Sequence, residues 1–314
     1  ILYAVCWGWE TEAPMEISPQ EFRDVQILVR SLCGLVLSDD KAYLVRTRLE
    51  PVVRARGFQH FGDYLGCVQQ VDAVLLRDEL VEALTTGETS FNRDSHLYDA
   101  FRRFLLPELG ETLRRRRESG FVHPTARLWS AGCSTGQEPY SLAMAVLDYV
   151  GGNPALQLRA DQFPILATDV SARSLATARA GRYPRRDLER GLTPDQLRRF
   201  FEADRDQSHA VARRELRQLI EFRRLNLMDS LPGLGPFEII LCRNVLIYFD
   251  PAARQRLCER FHEALAPRGL LILGSAESLF GLDVPFTSET IGGTLVFRRR
   301  EKGTGPFFPA ARPS

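Results

Sequence analysis

The residues with the clearest chemical purpose lie in Arg127-Leu-Trp-Ser-Ala-Gly-Cys-Ser-Thr-Gly-Gln-Glu-Pro-Tyr-Ser-Leu-Ala-Met144. This stretch reads as a buried strand, a tight loop of small residues and an amphipathic helix, the unit that builds a nucleotide-type pocket at the carboxyl edge of an α/β sheet. Ala131, Gly132, Ser134 and Gly136 leave room for a ligand to approach the backbone. Ser134 with Gln137, or Thr135 with Glu138, offers a capping box for the helix, and Pro139 suits its first turn. The loop has neither the three-glycine dinucleotide pattern nor a Gly-Lys-Ser/Thr phosphate loop. Glu138 puts a carboxylate where a pyrophosphate would want bare amides. A ligand that is neutral or cationic at this point fits better, such as an adenosine bearing a sulfonium and an amino acid. The plainer alternative is an ordinary strand-loop-helix unit whose Glu138 only complements the helix dipole.

Three further segments carry candidate groups. Phe163-Pro-Ile-Leu-Ala-Thr-Asp169 is an apolar strand ending in a carboxylate. Asp169 there either accepts hydrogen bonds from two ribose hydroxyls or simply caps the next helix at Ser171. Phe237-Glu-Ile-Ile-Leu-Cys-Arg-Asn-Val-Leu-Ile-Tyr-Phe-Asp250 runs into Asn244 and Tyr248, which a strand's carboxyl end would hold over the pocket. A Tyr248 hydrogen-bonded within the core is the competing reading. Asn226-Leu-Met-Asp229 edges an adenine site or is only a turn. Thr85-Thr-Gly-Glu-Thr-Ser-Phe-Asn-Arg-Asp94 places Thr89 and Arg93 one helical turn apart, as a hydroxyl and guanidinium clamp on a carboxylate.

The elements that position these groups fall into two patterns. From about 16 to 90 the sequence reads as helices only, with Phe22, Val25, Leu28, Val29 and Leu32, then Leu75, Leu76, Leu80 and Leu84, at helical spacing. Ser18 and Pro19 open the first helix. Between these runs a helix carries Arg46, Arg48, Arg54 and Arg56; at 100° per residue Arg46 and Arg54 fall about 80° apart and share a face. It suits an acidic partner, although a salt-bridged, solvated helix is as common. From about 126, strands alternate with helices, which implies a parallel sheet. Strands are expected at Leu128–Ala131, Pro164–Thr168, Phe237–Cys242, Gly269–Gly274 and Thr294–Arg298, with a helix over Arg254–Leu265. Between Gly181 and Leu227 the pattern breaks into a small antiparallel insertion that includes Leu219–Arg223.

Composition narrows the classes. The 314 residues are 44% hydrophobic, enough for one large or two smaller domains. A net charge of +1 gives no global attraction to nucleic acid, and Arg114–Arg117 reads as a solvated helix end. Six cysteines without CxxC or a histidine cluster suggest reduced cytosolic thiols, with neither zinc nor a disulfide framework. No apolar run is long enough to span a bilayer. The apolar opening Ile1–Trp9 lacks a basic leader, and Met15-Glu-Ile-Ser looks like a natural start. Residues 1–14 are therefore expected to be a non-native or disordered extension, and 301–314 a disordered tail.

Taken in order, TTGETSFNRD, RLWSAGCSTGQEPYSLAM, ILATDVS, RAGRYP, LNLMD and GPFEIILCRNVLIYFD resemble the chemotaxis receptor methyltransferases, the CheR family, from about residue 16 to 300. The resemblance implies a helical N-terminal domain (15–90), a linker helix region (91–125) and a Rossmann-like class I SAM-dependent methyltransferase domain (126–300) with a β-subdomain at 181–225. It implies methyl transfer from S-adenosylmethionine to glutamate side chains of methyl-accepting chemoreceptors, leaving S-adenosylhomocysteine, by a cytoplasmic monomer that neither binds nucleic acid nor inserts into the membrane. Carried over by motif, Gly87, Thr89, Arg93, Glu138, Asp169, Asn226, Leu227, Asn244 and Val245 contact the cofactor. Tyr248 lies near the transferred methyl, and Arg46, Arg48, Arg54 and Arg56 face the receptor. There are departures: Gly87 stands where the family often has Asn, Asn92 replaces a common Phe, and Gln137 replaces the first Glu of Gly-Glu-Glu-Pro. The insertion around Asp204–Arg213 lacks a Gly-rich loop, so binding of a receptor's C-terminal pentapeptide is not expected. The alternatives are a methyltransferase for another substrate, or a non-catalytic module that binds the cofactor or its product.

Overall fold

A computed structural model of the protein describes residues 14–230 and 233–300. The expected extension at 1–14, apart from its last residue, and the tail at 301–314 lie outside the described residues. The chain divides between Leu84 and Thr85 into two compact units.

The first unit holds helices α1 (Pro19–Cys33), α2 (Ala42–Ala55), α3 (Phe61–Val68) and α4 (Val74–Leu84). Ser18 and Glu21 form a reciprocal capping box at the start of α1, Pro19 takes its first position, and Gly34 closes it at φ 77°. Phe22, Val25, Val29, Val45, Leu49, Val53, Phe61, Tyr64 and Leu80 are buried together, each contributing about 1.5–3 kcal/mol of apolar transfer. Leu75, expected on the inner face of α4, is 69% exposed; the helix begins only at Val74, and its first turn stands off the core. Arg56 lies just past the end of α2.

The second unit opens with the irregular segment 85–94, then α5 (Ser95–Ala100) and α6 (Leu106–Glu118), joined by a π-turn at Phe101–Leu105. Pro107 accounts for that widened turn, since it has no amide hydrogen and its ring crowds the carbonyl four residues back. Next come β1 (Leu128–Ala131), α7 (Gln137–Gly152), β2 (Ile165–Asp169) and α8 (Ala172–Ala180). An excursion follows through β3 (Arg182–Pro184), α9 (Arg185–Glu189), α10 (Pro194–Phe200), β4 (Phe201–Ala203), β5 (His209–Ala212) and α11 (Arg214–Arg217). The chain returns through β6 (Ile220–Arg224), β7 (Phe237–Cys242), α12 (Pro251–Ala264), β8 (Leu265–Leu273), β9 (Phe286–Ile291) and β10 (Thr294–Arg299).

The main sheet has the order β6-β2-β1-β7-β8-β10-β9. The pairings among β6, β2, β1, β7 and β8 are parallel, and β10 runs antiparallel to both β8 and β9. Chain order reverses between β1 and β7, the switch point where open α/β sheets bind ligands. The fully buried runs Leu128–Ala131 and Phe237–Cys242 match central strands covered on both faces. A separate sheet, β3-β5-β4, is antiparallel, as expected of the insertion.

Two expectations need correction, and one strand went unread. Residues 219–223 do not belong to the insertion: β6 pairs in parallel with β2, Ile165 facing Ile220 and Asp169 facing Arg224. An edge strand has one partner and a solvated margin, so its polar pattern mimics that of a small surface hairpin. The same reason hid β9, whose sequence Phe-Thr-Ser-Glu-Thr-Ile forms the opposite edge. Residues 91–125 are no linker: Leu97, Tyr98, Phe101, Leu105, Leu106, Leu109 and Leu113 are buried in the same core as β1 and α7. Among the described residues no helix is long and apolar enough to cross a membrane.

Candidate active site

The loop after β1 is built from backbone that turns left-handed three times, at Gly132 (φ 78°), Ser134 (φ 49°) and Gly136 (φ 97°). A Cβ on Gly132 would sit 2.5 Å from Val245 Cγ2, so glycine lets this loop close against the end of β7. The expected capping boxes do not form, and the N-cap of α7 is Gly136 with no side-chain cap. The left-handed turns swing Ser134 and Thr135 away from the helix start. Ser134 Oγ instead donates to the Gly87 carbonyl at 2.7 Å, and Thr135 Oγ1 to Gln137 Oε1 at 2.8 Å.

Asp169, at the end of β2, accepts from the Ser134 amide at 2.8 Å and the Ser171 amide at 2.9 Å. Ser171 itself caps α8, accepting from the Ser174 amide at 3.0 Å. Asp169 therefore joins the β1 loop to the β2 end. Glu138 accepts from Ser130 Oγ at 2.7 Å and from Arg243 Nη1 at 2.9 Å. Arg243, which sequence reasoning missed, is the pivot of the site. Its side chain is 3% exposed and also bonds Asp94 Oδ2 at 2.5 Å and the Arg93 carbonyl at 3.0 Å. Burial alone would lower its pKa; the Glu138 carboxylate, with Tyr98 and Asp94, outweighs burial and holds it above the ordinary value. The available signal was a lone cation at the end of the apolar run Phe237–Cys242.

Segment 85–94 is not helical, since Asn92 and Asp94 have φ of 50° and 60°. Thr89 and Arg93 are therefore not spaced by a helical turn as expected; Arg93 Nη1 donates to the Glu88 carbonyl at 3.1 Å. Asn92 pins the segment, donating from its amide to Ser141 Oγ at 3.0 Å and from Nδ2 to the Gly191 carbonyl at 2.8 Å. Asn226 Oδ1 accepts from the Met228 amide at 3.0 Å, closing a turn that contains the buried Leu227. Arg260 of α12 holds that turn by donating to the carbonyls of Leu227, Met228 and Asp229. Asn244 sits at φ 59° just past β7, and Tyr248 is half-buried in the short turn Leu246–Tyr248, so it is not sealed in the core. Burial, with the Asp169 and Glu138 carboxylates nearby, pushes the Cys133 thiol well above its ordinary value, which favours the neutral form.

The structure thus brings Gly87, Glu138, Asp169, Asn244 and Val245 into one hydrogen-bonded and packed assembly at the switch point. Arg46, Arg48, Arg54 and Arg56 belong to the first unit. Arg46 pairs with Glu16, Arg54 with Glu50 and Arg56 with Glu79.

A parallel sheet with one late antiparallel strand, a carboxylate closing its second strand and a second carboxylate in the first turn after its first strand define a SAM-dependent methyltransferase domain. The donor set fits this cofactor: Asp169 suits a ribose, and Glu138 suits a cationic amino acid rather than a phosphate. Family models agree: residues 20–85 match "CheR methyltransferase, all-alpha domain" and residues 87–292 match "CheR methyltransferase, SAM binding domain". The chain belongs to the CheR methyltransferase family. It is 40% identical over 282 residues to a "Chemotaxis protein methyltransferase" of Vibrio parahaemolyticus, covering 90% of this chain and 98% of that protein. It is 35% identical over 286 residues to "Chemotaxis protein methyltransferase 1" of Pseudomonas aeruginosa (91% and 100% covered). A third relative, from Escherichia coli, is 34% identical over 276 residues (87% and 89% covered).

Proposed function

We propose that the protein transfers a methyl group from S-adenosylmethionine to glutamate side chains on the cytoplasmic part of chemoreceptors, giving methyl esters. The observation that carries this reading is the assembly of Glu138, Arg243 and Asp169 at the switch point of the sheet, in a chain of this family. S-adenosylmethionine supplies an activated methyl on a sulfonium. Asp169 would hold the ribose, Glu138 the amino-acid end, and the Asn226–Leu227 turn with Asn244 and Val245 the adenine side, while Gly87, Thr89 and Arg93 line the segment above.

A glutamate carboxylate has an ordinary pKa of about 4.3, so it is ionised near neutral pH and needs no general base. The protein's part is to orient the two reactants and to exclude water from the carboxylate. Tyr248, half-buried on the turn after β7, positions the acceptor. The arginine-bearing helix α2 and Arg56 receive the receptor.

The test uses cofactor labelled in its methyl group, host membranes from a strain lacking the gene, and a known receptor methyltransferase as positive control. Alkali-labile label released as methanol from a receptor-sized band is expected. No such label, with the control active, would overturn the substrate assignment. Label on RNA or a small molecule instead would redirect it.

A further inference from the structure

Glu277 follows β8 in Gly274-Ser-Ala-Glu277 and is 7% exposed. Such burial is costly for a carboxylate unless its charge is met. Among the described residues no cation pairs with it; backbone amides meet its charge instead. Oε2 accepts from the amides of Asn244 at 2.6 Å and Gly274 at 2.7 Å, and Oε1 from those of Val245 at 2.9 Å and Ile247 at 3.2 Å. The donors come from the ends of two neighbouring strands, β7 and β8. One of those ends carries Asn244, Val245 and Tyr248, and its backbone is unusual: Asn244 has φ 59° and Val245 has φ −120°, ψ −43°. A left-handed asparagine persists only when its surroundings hold it there. The fit is close on the other side as well, because a Cβ on Gly274 would lie 2.8 Å from Glu277 Oε2 and 2.9 Å from the Asn244 amide.

We infer that Glu277 is a positioning residue of the methyltransferase site: its carboxylate gathers the amides of the β7 end and thereby sets where Asn244, Val245 and Tyr248 stand. This rests on the cofactor and acceptor roles proposed above. The carboxylate is suited to the task because it only accepts, and four donors converge on it. An amide in its place would turn one oxygen into a donor facing donors.

The test compares the whole protein with Glu277→Gln and Glu277→Asp, and with Val296→Ala, whose side chain is fully buried in β10, as a destabilised control. Readouts are S-adenosylhomocysteine affinity by calorimetry, kcat and KM, melting temperature, and amide exchange of peptides covering 244–248 and 294–299. Glu277→Gln should raise the dissociation constant about tenfold or more and lower kcat, while exchange quickens at 244–248 and not at 294–299. Glu277→Asp should behave likewise to a smaller degree, being too short to reach both sets of amides. Val296→Ala should lose melting temperature without changing affinity. A Glu277 variant that folds and binds within about twofold of wild type would overturn the inference, as would an equal loss of affinity in Val296→Ala. Unprotected amides at Asn244, Val245 and Ile247 in the wild type would overturn it even if both variants failed to fold. Wild type that protects these amides yet does not bind S-adenosylhomocysteine would instead break the cofactor reading.

Discussion

Arginine is paired with carboxylates in both units, and the two settings give it opposite weight. In the first unit, Arg46 and Arg54 keep 25% and 28% of their side chains in solvent beside Glu16 and Glu50. Pairs of that kind contribute about 0–1 kcal/mol and weaken with salt. In the second unit, Arg243 is 3% exposed between Glu138 and Asp94. Breaking a buried pair costs about 3–5 kcal/mol, because the remaining charges have nowhere to go. The same chemistry therefore makes an adaptable surface in one place and a fixed frame in the other. A partly exposed pair can exchange its partner at little cost; the buried one cannot be rearranged without losing the site.

The comparison is sharpest at Arg243. Arg243→Met should cost about 3–5 kcal/mol by denaturant unfolding and abolish measurable cofactor binding. A loss below about 1 kcal/mol would mean that the cluster is as adaptable as the surface pairs. Next comes Asp169→Ala, which removes a charged hydrogen-bonding group worth about 1.5–3 kcal/mol, so cofactor affinity should fall roughly tenfold to a hundredfold by calorimetry. Unchanged affinity would remove Asp169 from the ribose. Tyr248→Phe should reduce kcat about tenfold while leaving S-adenosylhomocysteine affinity within about twofold, the sign of a group felt in the transition state and not in cofactor binding. Equal losses in both would take Tyr248 away from the reacting centre. The smallest structural effect belongs to Arg46→Glu combined with Arg54→Glu: stability should move by about 1 kcal/mol or less, while the receptor KM rises about threefold or more and cofactor affinity stays put. No change in the receptor KM would leave these arginines as solvated surface.

The central strands were legible because a strand covered on both faces is mostly apolar, as in Leu128–Ala131 and Phe237–Cys242, where the buried Ser130 and Glu238 are met by Glu138 and Arg116. The first helix was legible because Ser18 caps an orphan amide locally and Pro19 has none to satisfy. Edge strands escaped: β6 and β9 face solvent along one side, so their polar residues gave no period to read. The capping boxes at Ser134 and Thr135 failed for a related reason. Their pattern was present, but the left-handed turns at Ser134 and Gly136 aimed the hydroxyls elsewhere.

The sequence alone determined the kind of site, because residue type fixes chemistry: acids at 138 and 169, no phosphate loop, and small residues where a ligand must approach. It also fixed the family, through long motifs in order. Only the tertiary structure decided which charges are buried together. Arg243 meets Asp94 and Glu138 across 149 and 105 residues of chain, and Glu277 meets the β7 end across more than 30. Such pairings depend on the order of strands in the sheet, and no local pattern of residues encodes that order.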